Sequence, residues 1–354
     1  MRPTTGGERV AQAMRLLTAL VVVGVLLYGP FQILRSGKYG PENWVAFVVF
    51  GLAQGSLYAL IALGYTLVYG ILRMINFAHG EIFMSGAFTG YFAADALNRA
   101  GWLGDPWRVA ASLALITAAA AAGSTTVAVL LERIAYRPLR RAPRLVPLIT
   151  AIGASLFLQY TFSGLFGSGL KKYPDVKLLK GSFAFHGVNI LKVHVIVFVA
   201  AVTLMTALYL FVQHTRVGRA MRAVSEDKDT AALMGIDVDG VIVQTFMLGG
   251  ALAGVAGVLH ALIYGQVVFN MGFQPGLKAF TAAVLGGIGN VPGAMLGGLF
   301  LGVVESLGPA LFLEGLGIPA PHQLKDAIAF SLLVLVLVFR PTGILGERVA
   351  EKRA

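Results

Sequence analysis

The chain has 354 residues, of which 57% are hydrophobic and 13% charged, and its mean hydropathy is +0.77. A soluble domain carries about 25% charged residues, so this composition excludes an ordinary soluble fold and points to an all-α integral membrane protein. Cysteine is absent, which removes disulfides, thiolate metal sites and cysteine nucleophiles, and the net charge of +11 suits loops beside anionic lipid headgroups rather than nucleic acid, since no basic patch is interleaved with aromatics.

A spanning helix needs about 20 apolar residues. In chain order the sequence opens with the basic stretch "MRPTTGGERVAQAMR" and an apolar run over 16–34. That run is longer than a signal-peptide core and no A-x-A cleavage site follows, so it reads as a retained first span. Nine further runs follow, over 44–71, 75–97, 109–131, 145–167, 193–213, 241–262, 276–290, 293–313 and 323–339, giving about ten predicted transmembrane helices in one polytopic domain over 1–354. The run 44–71 carries Gly51, Gly55, Gly64 and Gly70, a pattern associated with helices broken or bent around a pathway. The run 276–290 is short enough to be re-entrant.

Orientation follows from lysine and arginine in alternate loops. With the N-terminus inside, the inner segments hold 17 and the outer ones nine, five of these in 168–192. Both termini are therefore expected in the cytoplasm. The longest inner connection, 214–240, contains "RAMRAVSEDKDTAALMG", whose apolar residues recur near helical spacing and which stops at Gly235. It predicts a short amphipathic helix at the inner face. "GSLYALIALGYTLVYG" (55–70) is similar to "AGVAGVLHALIYG" (253–265), as an inverted repeat would require.

Several chemistries have no motif. There is no G-x-x-x-x-G-K-[ST], and the Gly-rich "GGIGNVPGAMLGG" (286–298) lacks the lysine that would reach a phosphate. Its glycines instead predict a tight turn and close helix approach. No catalytic residue or metal-ligand set is legible, nor a voltage-sensor or potassium-filter pattern. An organised cytoplasmic helix on a many-span protein fits a transporter subunit energised by another chain.

"GLAQGSLYALIALGYTLVYGILRMINFAHGEIFMSGA" (51–87) resembles the signature of the branched-chain amino acid ABC permeases of LivH type. So do "LERIAYRPLRRAPRLVPLITAIGASLFLQ" (131–159), "RVGRAMRAVSEDKDTAALMGIDV" (216–238), "KAFTAAVLGGIGNVPGAMLGGLFLGVVESLG" (278–308) and "DAIAFSLLVLVLVFRPTGILGE" (326–347). "NFAHGE" is shared with permeases for urea and short amides, which leaves those solutes as the alternative. The resemblance implies an ABC importer permease fold in a bacterial inner membrane. It implies as partners a second, LivM-like permease, two LivG/LivF-like ATPases and a periplasmic binding protein. The chain itself would bind no cofactor; ATP and Mg would be used by the ATPases. Residues 214–240 would be the coupling segment docking on an ATPase, with Gly218, Arg219, Arg222, Glu226, Asp229, Ala232 and Gly235 carrying the match.

Polar residues inside the spans are the remaining candidates. Asn76, His79 and Glu81 either line the pathway or gate, or form a structural clamp in which Glu81 pairs with His79 or caps a broken helix end. Glu305 either joins the pathway or bonds to neighbouring hydroxyls, such as Ser306, or backbone. Gln54, Tyr58 and Gln159 either face a water-filled route or act as interhelical glue. Lys278 and His260 are expected to snorkel at the outer ends of their spans.

Overall fold

The structure, a computed structural model, describes residue 24 and residues 27–346, apart from Arg141, Arg144, His186, Gly187 and Pro341. The predicted first span and both termini therefore lie largely outside the described residues, although 27–36 are helical. The chain then forms α1 (Pro41–Leu72), α2 (His79–Arg99), α3 (Pro106–Leu131), α4 (Leu145–Phe166), α5 (Lys192–His214), α6 (Arg216–Glu226), α7 (Lys228–Leu233), α8 (Val238–Tyr264), α9 (Phe273–Gly286), α10 (Val291–Gly308) and α11 (Lys325–Phe339). Single π-turns extend α3 (Glu132–Tyr136) and α10 (Pro309–Glu314). Two short antiparallel ribbons, β1 (Lys171–Lys172) with β4 (Gln266–Val267) and β2 (Ser182–Phe185) with β3 (Val188–Leu191), cover one end of the bundle.

Local chemistry sets the helix ends. Proline in the first turn starts α1, α3 and α10, where its missing N–H costs nothing. The Asp105 side chain caps α3 by accepting from Trp107 N at 3.0 Å, and Asn290 caps α10 by accepting from Gly293 N at 2.9 Å. Gly265, at φ +66°, closes α8.

Small residues decide which helices touch. Apolar surface gains little by leaving lipid for protein, so close approach and packing must hold the bundle together. A Cβ added at Gly298 would lie 2.5 Å from the Cα and N of Ala59, which shows α1 and α10 in backbone contact. Gly257 of α8 meets α2 in the same way, with its Cβ position 2.6 Å from Phe83 O. Ser124 Oγ of α3 donates to Gly250 O of α8 at 2.7 Å. α1 and α8 form the buried centre, and α4 turns Ile149, Ile152, Leu156, Phe157 and Tyr160 outward.

α2 begins partway through the bundle. Residues 73–78 run back from the end of α1 without regular helix, so that the His79 ring packs on Gly64. Gly64 stands about 12 Å short of the last helical residue, Leu72, at 1.5 Å per residue. Gly249, about 16 Å into α8 from Val238, meets the same ring. α9 begins against this point, since Gly272 and Gly276 pack on Gly80. Non-helical backbone at such depth is viable because it is enclosed by protein.

Among the described residues seven helices are long and apolar enough to cross a membrane. The predicted span 75–97 is not among them: α2 starts late and carries Glu81, Asp95 and Arg99. α9 has 14 residues, about 21 Å, and does not cross a core of about 30 Å. The Gly-containing α1 is one continuous helix of 32 residues rather than a broken one, because its glycines seat neighbouring chains. The inner-face segment is two helices, not one. Asp227 leaves helical geometry (φ −151°) and caps α7 by accepting from Asp229 N and Thr230 N at 2.9 Å each.

Candidate functional site

A cavity of about 660 Å³ opens between α1, α4, α8, α9 and α11. Six side chains named from sequence meet in or beside it: Gln54, Tyr58, Gln159, His260 and Lys278 line it, and Glu305 stands behind the lining. Gln54 and Tyr58 are four apart on one face of α1 and hydrogen-bond to each other, Gln54 Nε2 donating to Tyr58 Oη at 2.8 Å. Tyr264 of α8 donates to Gln54 Oε1 at 2.5 Å, so this amide is fixed at both ends.

The opposite wall is ionic. Lys278 Nζ of α9 lies 2.5 Å from Glu305 Oε1 of α10 and 2.6 Å from Asp326 Oδ1 of α11, and 5.7 Å from the Tyr58 ring centroid. Lys278 and Glu305 are both about 5% exposed. Lys278 therefore does not snorkel; a buried ammonium is stable here because two carboxylates compensate it. His260 does not snorkel either: it stacks on Tyr264 with centroids 4.3 Å apart, and its Nδ1 is buried without a partner. Ser306 does not serve Glu305, since its hydroxyl donates to Phe47 O at 2.7 Å.

Asn76, His79 and Glu81 are all buried, but they do not act on one another. Glu81 Oε1 accepts from Gln159 Nε2 at 2.7 Å and from Ser155 Oγ at 3.1 Å, both on one face of α4. His79 is not its partner: its ring is wedged between Gly64 and Tyr65, 5.0 Å from the Tyr65 centroid. Asn76 Oδ1 accepts from Tyr136 Oη at 2.6 Å, which ties 73–78 to the π-turn after α3. Ser155 lines a second cavity of about 300 Å³ with Tyr65, Phe77 and Gly276. The two cavities share Leu156 and Phe273, and Glu81 is bonded to a lining residue of each.

At the other end of the bundle, residues 214–240 fold against α5, α1 and α8. The Thr215 hydroxyl caps α6 by accepting from Gly218 N at 3.0 Å. Gly218 is packed on the last carbonyls of α5, and Arg222 donates to one of them, Val212 O. Arg73, held at φ +57° after α1, donates to Ser225 O at 3.2 Å. Arg219, Glu226, Asp229 and Ala232 are exposed. Gly235 (φ +81°) ends α7 in a Schellman turn, with Ile236 N bonding Ala231 O at 3.1 Å. The turn leaves Leu233 and Met234 at 88% and 79% exposure, an apolar knob on a charged segment. Nearby, Arg140 is bonded to both Glu132, which is fully buried, and Asp239.

Sequence reasoning missed Asp326, Tyr264, Ser155 and Tyr136, and set Lys278 at a span end instead of in the site. Two of these left a trace. Lys278 and Glu305 are opposite charges in separate apolar runs, which membrane burial forces to meet. Ser155 and Gln159 are four apart, so both face the same neighbour.

Residues 47–337 match the family described as "Branched-chain amino acid transport system / permease component". The chain is 47% identical to the high-affinity branched-chain amino acid transport system permease protein BraD of Pseudomonas aeruginosa, over 88% of this chain and 98% of the relative. It is 44% identical to LivH of Salmonella typhimurium, described in the same terms, over 85% of this chain and 95% of the relative. A solved chain from an inward-facing metal-chelate type ABC transporter aligns with 91% of this chain and 99% of its own length, at 14% identity and a TM-score of 0.44.

Proposed function

The chain belongs to the family of branched-chain amino acid transport permease components, and from that premise we propose that it is the membrane-spanning subunit of an ATP-driven importer for leucine, isoleucine and valine. The observation that carries this reading is near-full-length identity of 47% with a permease of that description. The polar cavity within an otherwise apolar bundle supports it as the solute route.

In this reading the chain hydrolyses nothing. It lies in a bacterial inner membrane with both termini in the cytoplasm, beside a second permease, two ATPases and a periplasmic binding protein. ATP and Mg belong to the ATPases. The α6–α7 unit is the coupling surface: Leu233 and Met234 would enter an apolar cleft of the ATPase, and Arg219, Glu226 and Asp229 would set register at its rim. Arg222 and Gly218 act one step behind, fastening α6 to the end of α5.

The test is reconstitution. Vesicles holding this chain, its partner permease and both ATPases, with binding protein outside and ATP within, should accumulate leucine against its gradient. This chain alone should carry nothing uphill. Concentrative uptake by the lone chain, driven by a proton or sodium gradient, would refute the proposal.

A further inference from the structure

We infer that the 660 Å³ cavity holds the solute as a zwitterion, its carboxylate on Lys278 Nζ, its ammonium on Gln159 Oε1, and its branched side chain against Leu156, Met271 and Phe273. This rests on the importer reading above and adds the site.

The donor count on Lys278 supplies the first half. An ammonium has three N–H donors. One donates to Glu305 Oε1 at 2.5 Å, and the ammonium also forms an ion pair with Asp326 Oδ1 at 2.6 Å, which leaves at least one donor on a residue that lines the cavity. A solute carboxylate can take that donor without displacing either protein carboxylate.

The second half follows from the amide. Glu81 accepts only, so the bond of 2.7 Å fixes the Nε2 side of Gln159 toward it. The Oε1 side must then face away from Glu81. Among the described residues the only side-chain hydrogen bond of Gln159 is the one its Nε2 gives to Glu81, and the residue lines the cavity. A charge-assisted bond on the donor end also polarises the carbonyl, which makes it a better acceptor for an ammonium.

The charge layout explains why such a site would release its solute. Glu81, Glu305 and Asp326 all stand outside the cavity lining, behind residues that line it: Glu81 behind Gln159, Glu305 behind Lys278 and Lys325, and Asp326 behind Lys278 and Gln274. The solute meets a neutral amide and a cation already neutralised by two partners. Both are weaker than a bare ion, as passage rather than storage requires. Leu156, Met271 and Phe273 supply apolar wall and no further charge.

The complete transporter, in lipid nanodiscs and without binding protein, is incubated with a leucine analogue bearing a side-chain diazirine, irradiated and mapped by mass spectrometry. Labelling is expected at 156 or within 268–273. It should be competed by leucine at least about tenfold better than by isoamylamine, which lacks the carboxylate, or by 4-methylpentanoate, which lacks the ammonium. Gln159→Leu should lower labelling about tenfold or more. Labelling confined to other segments, equal competition by all three compounds, or full labelling of Gln159→Leu overturns the inference. The competitor series uses the unaltered protein, so it decides the matter even if a variant fails to assemble. Parallel vesicles report leucine uptake by the same preparation. If they import while the cavity stays unlabelled, the site is wrong and the importer reading stands; if they do not import, the importer reading falls first.

Discussion

Replacing Lys278 by Met removes the nearer and more buried of the two cations on Glu305, whose side chain is 4% exposed, and leaves only the half-exposed Lys325 at 3.9 Å. Breaking a buried ion pair from one side costs about 3–5 kcal/mol, because the remaining charge is left uncompensated in a low dielectric. Glu305→Leu should cost less, about 1–3 kcal/mol, since Asp326 at 2.6 Å still compensates Lys278. The double replacement buries neither charge, and Asp326, with a side chain 32% exposed, can turn to water and to its neighbour Lys325. It should therefore return to within about 1–2 kcal/mol of the parent, a coupling of at least about 2 kcal/mol. Unfolding equilibria in mixed detergent micelles, followed by tryptophan fluorescence, measure all four corners. Additivity within about 0.5 kcal/mol would show that the pair does not exist in the folded protein and would refute the reasoning. Leucine uptake should not recover with stability in the double variant, because the Lys278 ammonium is absent from it as from Lys278→Met.

Gly298→Leu forces a side chain into the backbone of Ala59 and should cost about 1–3 kcal/mol or more, whereas Gly153→Leu on α4, where nothing lies within 4 Å, should stay within about 0.5 kcal/mol; thermal unfolding in detergent compares them. Leu233→Asp with Met234→Asp alters two exposed side chains, so it should leave unfolding unchanged and lower ATPase co-purification about tenfold. Arg222→Glu sets a carboxylate against the last carbonyls of α5, and hydrogen exchange over 216–226 should accelerate as α6 lifts. Tyr136→Phe orphans the buried Asn76 Oδ1, costing about 1–3 kcal/mol, and amides of 74–78 should exchange faster.

Composition and the long apolar runs make the all-helical membrane fold legible, and seven of the predicted spans match described helices that are long enough to cross, give or take a few residues at most ends. The other expectations fail where length and hydropathy do not determine path. The run 75–97 is apolar enough to read as one span, yet 74–78 stay non-helical, and Tyr136, distant in sequence, holds Asn76 there. The run 276–290 ends early because Gly287 takes φ +108°, and Ile344 and Leu345 bond Leu285 and Gly286 at that point. Gln54, Tyr58 and Gln159 were found because polar groups in apolar runs need a reason. Lys278 was misread because its position near a span end allows snorkelling equally well, and only the meeting of α9 with α10 and α11 excludes it.

The ionisable groups inside the bundle are placed where the fold already offsets their cost. Lys278, Glu305 and Asp326 compensate one another across three helices. Glu81 has no cation near it in any hydrogen bond or ion pair among the described residues, but it sits in the first turn of α2, where free N–H groups and the helix dipole favour a carboxylate. That turn is deep only because 73–78 run back alongside α1. The same six residues start at Arg73, which holds Ser225 of α6, and pass through Asn76, which holds Tyr136. If α6 is displaced, as the proposed coupling requires, the two fixed points at Arg73 and Asn76 would carry the motion toward Glu81, the residue that orients Gln159. A continuous helix over 73–99 would have spread the same displacement over a rigid rod and carried Glu81 away from α4. Breaking the helix before His79 is what lets Glu81 and Gln159 stay in register with the cavity while the same stretch remains tied to α6 through Arg73.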